Sequence, residues 1–148
     1  MKKLALLILF SVSIVSFVNA QSNALGIRFN AGDGTGIEAS FQRFLGDANR
    51  LEIGLGLDLD NAFRVAAVYQ WVWDLSLLAD GFNWYAGVGG GLLLNDRGVD
   101  IGALGNLGIE YNFKIPLQLS FDIRPGFYFG SGSGLGFGGA ALGVRYRF

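Results

Sequence analysis

Apolar and polar residues alternate along most of the chain after residue 20, and turn residues interrupt the alternation every dozen or so positions. The clearest stretch is 51–58, where every odd position is Leu or Ile and every even position is Glu, Gly or Asp. A period of two places successive side chains on opposite faces of a β-strand. The pattern therefore predicts strands with one apolar face and one polar face.

The alternation predicts eight such strands, over 25–30, 37–42, 51–58, 63–71, 84–89, 101–111, 117–124 and 142–148. Short segments rich in Gly, Asp and Asn connect them, and the longest connection, 74–81, has room for a helical turn. Short connections suit hairpins and exclude the long crossovers that parallel strands require. The expected fold class is all-β: an eight-stranded antiparallel up-and-down barrel over 21–148.

The first 20 residues differ from the rest. Met1-Lys2-Lys3 begins the chain with positive charge, the segment 4–18 is almost wholly apolar, and Val18-Asn19-Ala20 places small residues at −3 and −1 of a cleavage site. This arrangement predicts a cleaved secretory signal peptide at 1–20, with an uncleaved anchor helix as the alternative. Without Lys2 and Lys3, 9 basic residues face 12 acidic ones, and the resulting net charge of −3 gives no basic surface for nucleic acid.

The polar face of the predicted strands favours a membrane barrel over a soluble one. A soluble barrel would present long polar side chains to water, whereas this face is mostly Gly, Ser and Asn with few charges. Eight strands enclose a space just wide enough for side chains, so small residues and paired charges suit an inward-facing position. We expect a lumen charge network of four positive and four negative residues: Arg28, Glu38, Glu52, Arg64, Glu110, Asp122, Arg124 and Arg145.

Aromatic residues concentrate near the predicted strand ends, as they do where membrane barrels cross the two lipid–water interfaces. One predicted rim contains Phe44, Trp71, Trp73, Phe82, Trp84, Tyr111, Phe113, Tyr146 and Phe148. The other contains Phe29, Phe63, Phe127, Tyr128 and Phe129. We interpret the two sets as aromatic girdles around a lipid-facing band.

The last strand ends with Val144, Tyr146 and Phe148 on its apolar face. This ending resembles the C-terminal insertion signal of bacterial outer-membrane proteins, and the resemblance implies the barrel-assembly machinery as a partner during insertion. Over 21–148 the pattern resembles the OmpX/OmpA-type barrels, and more closely the small outer-membrane β-barrel domain proteins common in Bacteroidetes; 82–91 is the most similar stretch. The resemblance implies a bacterial outer-membrane location, contact with outer-membrane lipid and lipopolysaccharide, and a monomer.

The sequence lacks the residues that several kinds of catalytic and metal-binding sites require. The chain has no His and no Cys, so neither a conventional catalytic triad nor a zinc site with His or Cys ligands is available. The motif at 134–139 matches G-x-G-x-x-G, but no helix is predicted after it, which argues against a dinucleotide site. Glu52 and Asp122 form a possible proton-sharing pair, although structural pairing with arginine is favoured. No cofactor is expected.

Four aspartates lie at the predicted outer strand ends, where they suit either Ca²⁺ or lipopolysaccharide bridging or plain solvated turns: Asp58, Asp60, Asp96 and Asp100. The sequence as a whole favours a non-enzymatic outer-membrane barrel with a filled lumen and a structural or surface-interaction role. A narrow pore or carrier for small or apolar molecules is one alternative. A secreted soluble ligand-binding barrel is the other.

Overall fold

The computed structural model describes residues 23–32, 34–130, 134–136 and 139–148. These residues form ten β-strand segments in one sheet: β1 (Asn23–Ala31), β2 (Gly36–Phe44), β3 (Asn49–Asp58), β4 (Phe63–Asp74), β5 (Phe82–Asn95), β6 (Gly98–Asn112), β7 (Leu117–Ile123), β8 (Gly126–Phe129), β9 (Gly134–Gly136) and β10 (Ala140–Arg147). Within these ranges no helix is long and apolar enough to span a bilayer. The signal peptide expected at 1–20 lies outside the described residues.

The sheet closes on itself through antiparallel pairs. Leu25 of β1 lies opposite Phe41 of β2 on one side and opposite Tyr146 of β10 on the other. Consecutive strands pair from β2 to β7, and β7 pairs with β10. Two backbone hydrogen bonds, of 3.1 and 2.9 Å, join Asn23 to Phe148 and hold the two ends of the barrel wall together. Each of the strands β1 to β7 and β10 has a partner on both sides, which is the condition for placing a sheet in a bilayer.

The ten segments make eight spans, because the last two spans are each divided. Pro125 has no N–H to donate and separates β7 from β8, yet both segments pair with β6 in one register. The final span has three positions between Gly136 and Ala140, where its neighbour has two between Ile123 and Gly126. The register between the last two spans therefore differs by one residue on the two sides of this stretch, which is where the sequence alternation is lost. The predicted eight-stranded antiparallel barrel is confirmed.

The connections lie at two ends of the barrel. The terminal end carries Asn23, Phe148 and the connections 45–48, 75–81 and 113–116, and the distal end carries the turns 32–35, 59–62 and 96–97. In the longest connection the N–H of Ala79 donates to the carbonyl oxygen of Leu75 at 3.0 Å, which makes the expected helical turn. At the distal end Asn61 has a φ of 59°, in the left-handed region that Asn tolerates in tight turns.

The large apolar side chains face outward. In β3 the side chain of Leu55 is 49% exposed, whereas that of Glu52, on the opposite face of the same strand, is 1% exposed. The same alternation runs along the other strands, and the interior apolar cluster of the described residues is small, consisting of Ala66, Val68 and Leu104 with Tyr128 packed against it. An apolar exterior around a polar interior is the arrangement of a transmembrane barrel and the reverse of a soluble one.

Aromatic rings pair along the outer wall at both ends. At the terminal end Trp73 stacks on Trp84 with a centroid distance of 4.2 Å, and at the distal end Phe127 meets Phe129 at 4.6 Å. Tyr128 was expected in the distal girdle, but its ring packs on the interior cluster. That expectation was wrong, because alternation along β8 directs Phe127 and Phe129 outward and the residue between them inward.

The outward facing of β3 predicts the effect of a charge in the lipid band. Leu55→Arg is expected to reduce the free energy of unfolding by roughly 2–4 kcal/mol, because an outward arginine near the midplane meets hydrocarbon. Leu77→Arg, in the exposed 75–81 turn, is the matched control and is expected to cost about 0–1 kcal/mol. Urea titration in lipid vesicles measures both, and equal midpoints would show that Leu55 does not face lipid.

Candidate functional site in the barrel interior

Six ionised side chains form a continuous series of ion pairs across the barrel interior. Their signs alternate in the order Asp122, Arg28, Glu38, Arg124, Glu52, Arg145, and we call this set the interior ion-pair network. Every member is buried, with three positive and three negative groups. Strands β1, β2, β3, β7 and β10, together with the position before Pro125, supply these side chains, so the network connects walls that are far apart in sequence.

Glu52 accepts hydrogen bonds from four different residues. Its carboxylate accepts from Nη2 of Arg124 at 2.5 Å and pairs with Nη2 of Arg145 at 3.4 Å. It also accepts from Nε2 of two glutamines, from Gln42 at 2.6 Å and from Gln70 at 3.3 Å. A buried carboxylate loses its hydration, and these donors replace the lost water contacts.

Asp122 anchors the other end of the network. It accepts from Nε and Nη2 of Arg28, the first at 3.1 Å, which gives the bidentate geometry that arginine and carboxylate favour. The hydroxyl of Tyr85 and the amide of Asn106 each donate to it at 3.1 Å. Asp122 is therefore held in one position by three strands other than its own.

Arg145 is held mainly by hydroxyl groups. Its Nε donates to Ser40 Oγ at 2.9 Å and its Nη1 donates to Ser120 Oγ at 2.7 Å. Ser40 and Ser120 lie on strands β2 and β7, which do not pair with each other. Small polar residues on the inward face thus serve as hydrogen-bond partners of the ions as well as leaving room for them.

A second pair lies toward the terminal end. Nη1 of Arg50 is 2.7 Å from Oε2 of Glu110, although the two atoms are not aligned as a hydrogen bond. The guanidinium of Arg50 also lies 4.6 Å from the ring centroid of Tyr85, a cation–π contact. Nε of Arg50 donates to Gln70, which links this pair to Glu52.

A third pair lies toward the distal end. Nη2 of Arg64 donates to Oδ2 of Asp58 at 2.6 Å, and no ion pair joins Arg64 to the interior network. The lumen set expected from the sequence therefore divides: six members form the network, Glu110 joins it indirectly through Arg50 and Gln70, and Arg64 stands apart with Asp58.

Inward-facing glycines leave the volume that these side chains occupy. A Cβ at Gly54 would lie 2.4 Å from Oε1 of Glu38, and a Cβ at Gly108 would lie 2.5 Å from the hydroxyl of Tyr85. Neither position has an unusual φ, so the absence of a side chain matters here for space. The high glycine content is therefore tied directly to the ions and the tyrosine of the interior.

Sequence reasoning missed Arg50, because the third strand was expected to begin at Leu51 and begins at Asn49. Extending the alternation back by one residue would have placed Arg50 on the same face as Glu52. Asp100 was considered as a turn residue at the outer end, but it lies within β6 and is buried. No group of three or more carboxylates that would hold a metal ion occurs among the described residues, so the idea of calcium at the outer aspartates gains no support.

Glu52 and Asp122 do not form the proton-sharing pair considered from the sequence. Each accepts hydrogen bonds from arginine side chains, and no hydrogen bond between the two carboxylates occurs among the described residues. The geometry is therefore that of a structural network.

A cavity of about 430 Å³, which we call the distal vestibule, lies between the network and the distal turns. Its inner wall includes Arg28, Glu38 and Arg124, and its side wall includes Arg64, Leu104 and Tyr128. Asp60, Asp96 and Arg97, from the exposed turns, stand at its mouth. The interior is thus hollow toward the distal end.

The apolar residues of the expected C-terminal signal lie on the outside of the last span. Val144 and Tyr146 are exposed on β10, and the ring of Tyr146 stacks near that of Phe148 with a centroid distance of 6.3 Å. Their backbone also takes part in closing the barrel beside β1. The side chains of Val144 and Tyr146 are therefore accessible from outside the barrel, and a role of this segment in insertion remains a prediction.

Solved membrane barrels have a similar fold. The N-terminal β-barrel domain of Pseudomonas aeruginosa OprF superposes with a TM-score of 0.67 at 16% identity, covering 88% of this chain and 100% of that one. A barrel from the de novo design of transmembrane β-barrels gives a TM-score of 0.61 at 12% identity, over 89% of this chain and 100% of that chain. This chain has a transmembrane β-barrel fold.

A second de novo designed barrel, solved by NMR, gives a TM-score of 0.56 at 14% identity, covering 88% of this chain and 96% of that one. No protein-family model matches the sequence, and no curated protein matches it either. At these identities the likeness shows the fold alone. What fills the barrel has to be interpreted from the residues of this chain.

The network predicts that neutralising Glu52, which pairs with two arginines, has a large effect on stability. Glu52→Gln leaves Arg124 and Arg145 without their shared carboxylate, and the free energy of unfolding is expected to fall by roughly 3–5 kcal/mol. Asp60→Asn, in an exposed turn, is the control and is expected to change it by about 0.5 kcal/mol or less. The measurement is urea unfolding in lipid vesicles. Equal urea midpoints for the two variants would contradict a stabilising role of the network.

Proposed function

We propose that this chain is a non-enzymatic integral protein of the bacterial outer membrane, with a sealed lumen and a structural or surface-interaction role in the cell envelope. One observation carries the proposal: an apolar exterior encloses a buried network of paired ions that fills the barrel. The exterior suits lipid, and the network places long paired side chains across the middle of the lumen. The soluble-barrel alternative loses its support, because its apolar side chains would have to pack in the centre.

The proposal extends to export, insertion and surroundings. The signal peptide at 1–20 supports export, and the apolar ending with Val144, Tyr146 and Phe148 supports recognition by the barrel-assembly machinery. Contact with outer-membrane lipid and lipopolysaccharide belongs to the same proposal, and the aromatic side chains near the strand ends support it. The size of the barrel and its short turns support a relation to the OmpX-like small barrels of Bacteroidetes. The barrel is proposed to work as a monomer without a cofactor.

The absence of His and Cys from the sequence supports the non-enzymatic part of the proposal, since triad and thiol chemistry need them. The carboxylates of the interior are held by arginines, which suits a fixed structure better than proton transfer. The narrow pore stays as the second candidate, because the distal vestibule enters the barrel from one end. A pore that continued from the vestibule to the terminal end would require the ion pairs of the interior network to break.

Location is tested by fractionation. We expect the protein in the outer-membrane fraction after cell lysis, requiring detergent for extraction and migrating faster on unheated than on heated gels, because a closed barrel resists unfolding by detergent. Alkaline washing, which removes peripheral proteins, is the control and should leave it in the membrane. Recovery in the soluble fraction would overturn the membrane proposal.

Sealing is tested by conductance in planar lipid bilayers. The native barrel is expected to give no steady channel. Glu52→Ser/Arg145→Ser removes both ion pairs of Glu52 without changing net charge, and it is expected to open a channel because water then replaces the two long side chains. Asp58→Ser/Arg64→Ser is the matched control, since it enlarges the vestibule and leaves the network intact. A steady channel in the native protein would favour the pore function, and silence in the network variant would show that other groups seal the barrel.

A further inference from the structure

The longest connection at the terminal end, 75–81, carries two adjacent leucines that contact little of the protein. The side chain of Leu77 is fully exposed and that of Leu78 is 85% exposed, whereas the lipid-facing Leu55 of β3 is 49% exposed. Large apolar side chains that stand together outside the barrel wall indicate contact with another apolar surface. The question is which surface meets them.

The turn is continuous with the lipid-facing wall of the barrel. Trp73 and Trp84 stack at its base with their ring centroids 4.2 Å apart, and both side chains are exposed on the outside. Two residues beyond Trp73, the N–H of Leu75 donates to the carbonyl oxygen of Phe82 at 2.9 Å, so the hairpin continues toward the turn. Two strand residues advance about 6–7 Å, or about 5 Å along the membrane normal for a tilted barrel strand. The headgroup layer is about 5–7 Å thick on each side of the hydrocarbon, so the turn begins within it.

The backbone of the turn is paired largely within the turn itself. The N–H groups of Leu78 and Ala79 both donate to the carbonyl oxygen of Leu75, at 2.8 and 3.0 Å. The N–H of Ser76 donates to Oδ1 of Asp74 at 2.7 Å. Backbone groups that already have partners lose little when water becomes scarce around them. The turn can therefore enter a poorly hydrated layer without leaving these groups unpaired.

We propose that the 75–81 turn is a lipid anchor, which inserts Leu77 and Leu78 at the boundary between headgroups and acyl chains and fixes the β4–β5 side of the barrel there. Short amphipathic segments bind membrane interfaces through buried apolar side chains of this kind. Asp74 and Asp80, both exposed, flank the leucines and would be repelled by anionic headgroups, so the lipid is a zwitterionic phospholipid. The inference rests on the proposed membrane location and adds a lipid-binding segment outside the barrel wall.

The depth of the turn is measured with a nitroxide spin label. The chain contains no cysteine, so Ala79→Cys gives a single labelling site inside the turn and leaves both leucines in place. The protein is refolded in phosphatidylcholine vesicles, and electron paramagnetic resonance compares collisions with oxygen, which concentrates in lipid, and with a water-soluble nickel chelate. Val88→Cys on the outer wall is the lipid reference, and Arg97→Cys in an exposed distal turn is the water reference. We expect the label at residue 79 to favour oxygen, as at residue 88, and the label at residue 97 to favour nickel.

Variants test whether the leucines hold the turn in lipid. Leu77→Ser/Leu78→Ser, added to Ala79→Cys, is expected to abolish the preference for oxygen, and folding should not suffer because both side chains are exposed. Leu59→Ser removes an exposed leucine from a distal turn and is the matched control, which leaves the signal at residue 79 unchanged. Phosphatidylglycerol vesicles are expected to weaken the preference at residue 79, because their headgroups are anionic.

Several results would overturn the anchor. They are nickel collisions at residue 79 as frequent as at residue 97, no response to the two serines, a stronger oxygen preference in phosphatidylglycerol, or spin–spin broadening from a second copy packed on the turn. If the label at residue 88 still favours oxygen, only the anchor fails and the membrane proposal stands. If the label at residue 88 favours nickel, both proposals fail.

Discussion

The small cross-section of an eight-stranded barrel is the constraint on which the rest of this structure depends. Lipid on the outside forces the polar side chains inward, and the interior has little room for the water that would otherwise solvate them. Inward ionic side chains therefore form ion pairs with groups on other strands. Arg28 reaches Asp122 across 94 positions of sequence, and Arg124 reaches Glu38 across 86. The ion pairs are thus also the contacts that connect opposite walls.

The same constraint accounts for the composition of the inward face. A long ionic side chain fits only where the facing residue is small, and Gly54 and Gly108 supply that space beside Glu38 and Tyr85. Elsewhere the small inward residue is a hydrogen-bond partner, as Ser40 and Ser120 are for Arg145. Glycine lowers the intrinsic stability of a strand, and close packing of the interior offsets that cost.

The interior has a well-paired centre and incompletely paired groups on both sides of it. Around Glu52, amide and guanidinium groups surround the carboxylate, as expected of a permanent filling. Within the described part of the chain, Arg50 and Glu110 lie close together toward the terminal end without an aligned hydrogen bond, and Arg64 and Arg124 each keep an unpaired Nε toward the distal end. The network between these two regions connects opposite walls at the middle of the barrel.

The sequence by itself determined the number of spans, their antiparallel order and the facing of nearly every residue, because a period of two is a local property and lipid requires one face to be apolar. It also identified most of the inward ions. The exceptions are Arg50, at an uncertain strand end, and Asp58 and Asp100, which were considered as outer turn residues. Only the tertiary structure decided which ions pair, that Arg64 stands apart with Asp58, that Tyr128 turns inward, and that a cavity remains at one end. Those outcomes depend on barrel closure and on the register between strands distant in the chain, and no local pattern specifies either.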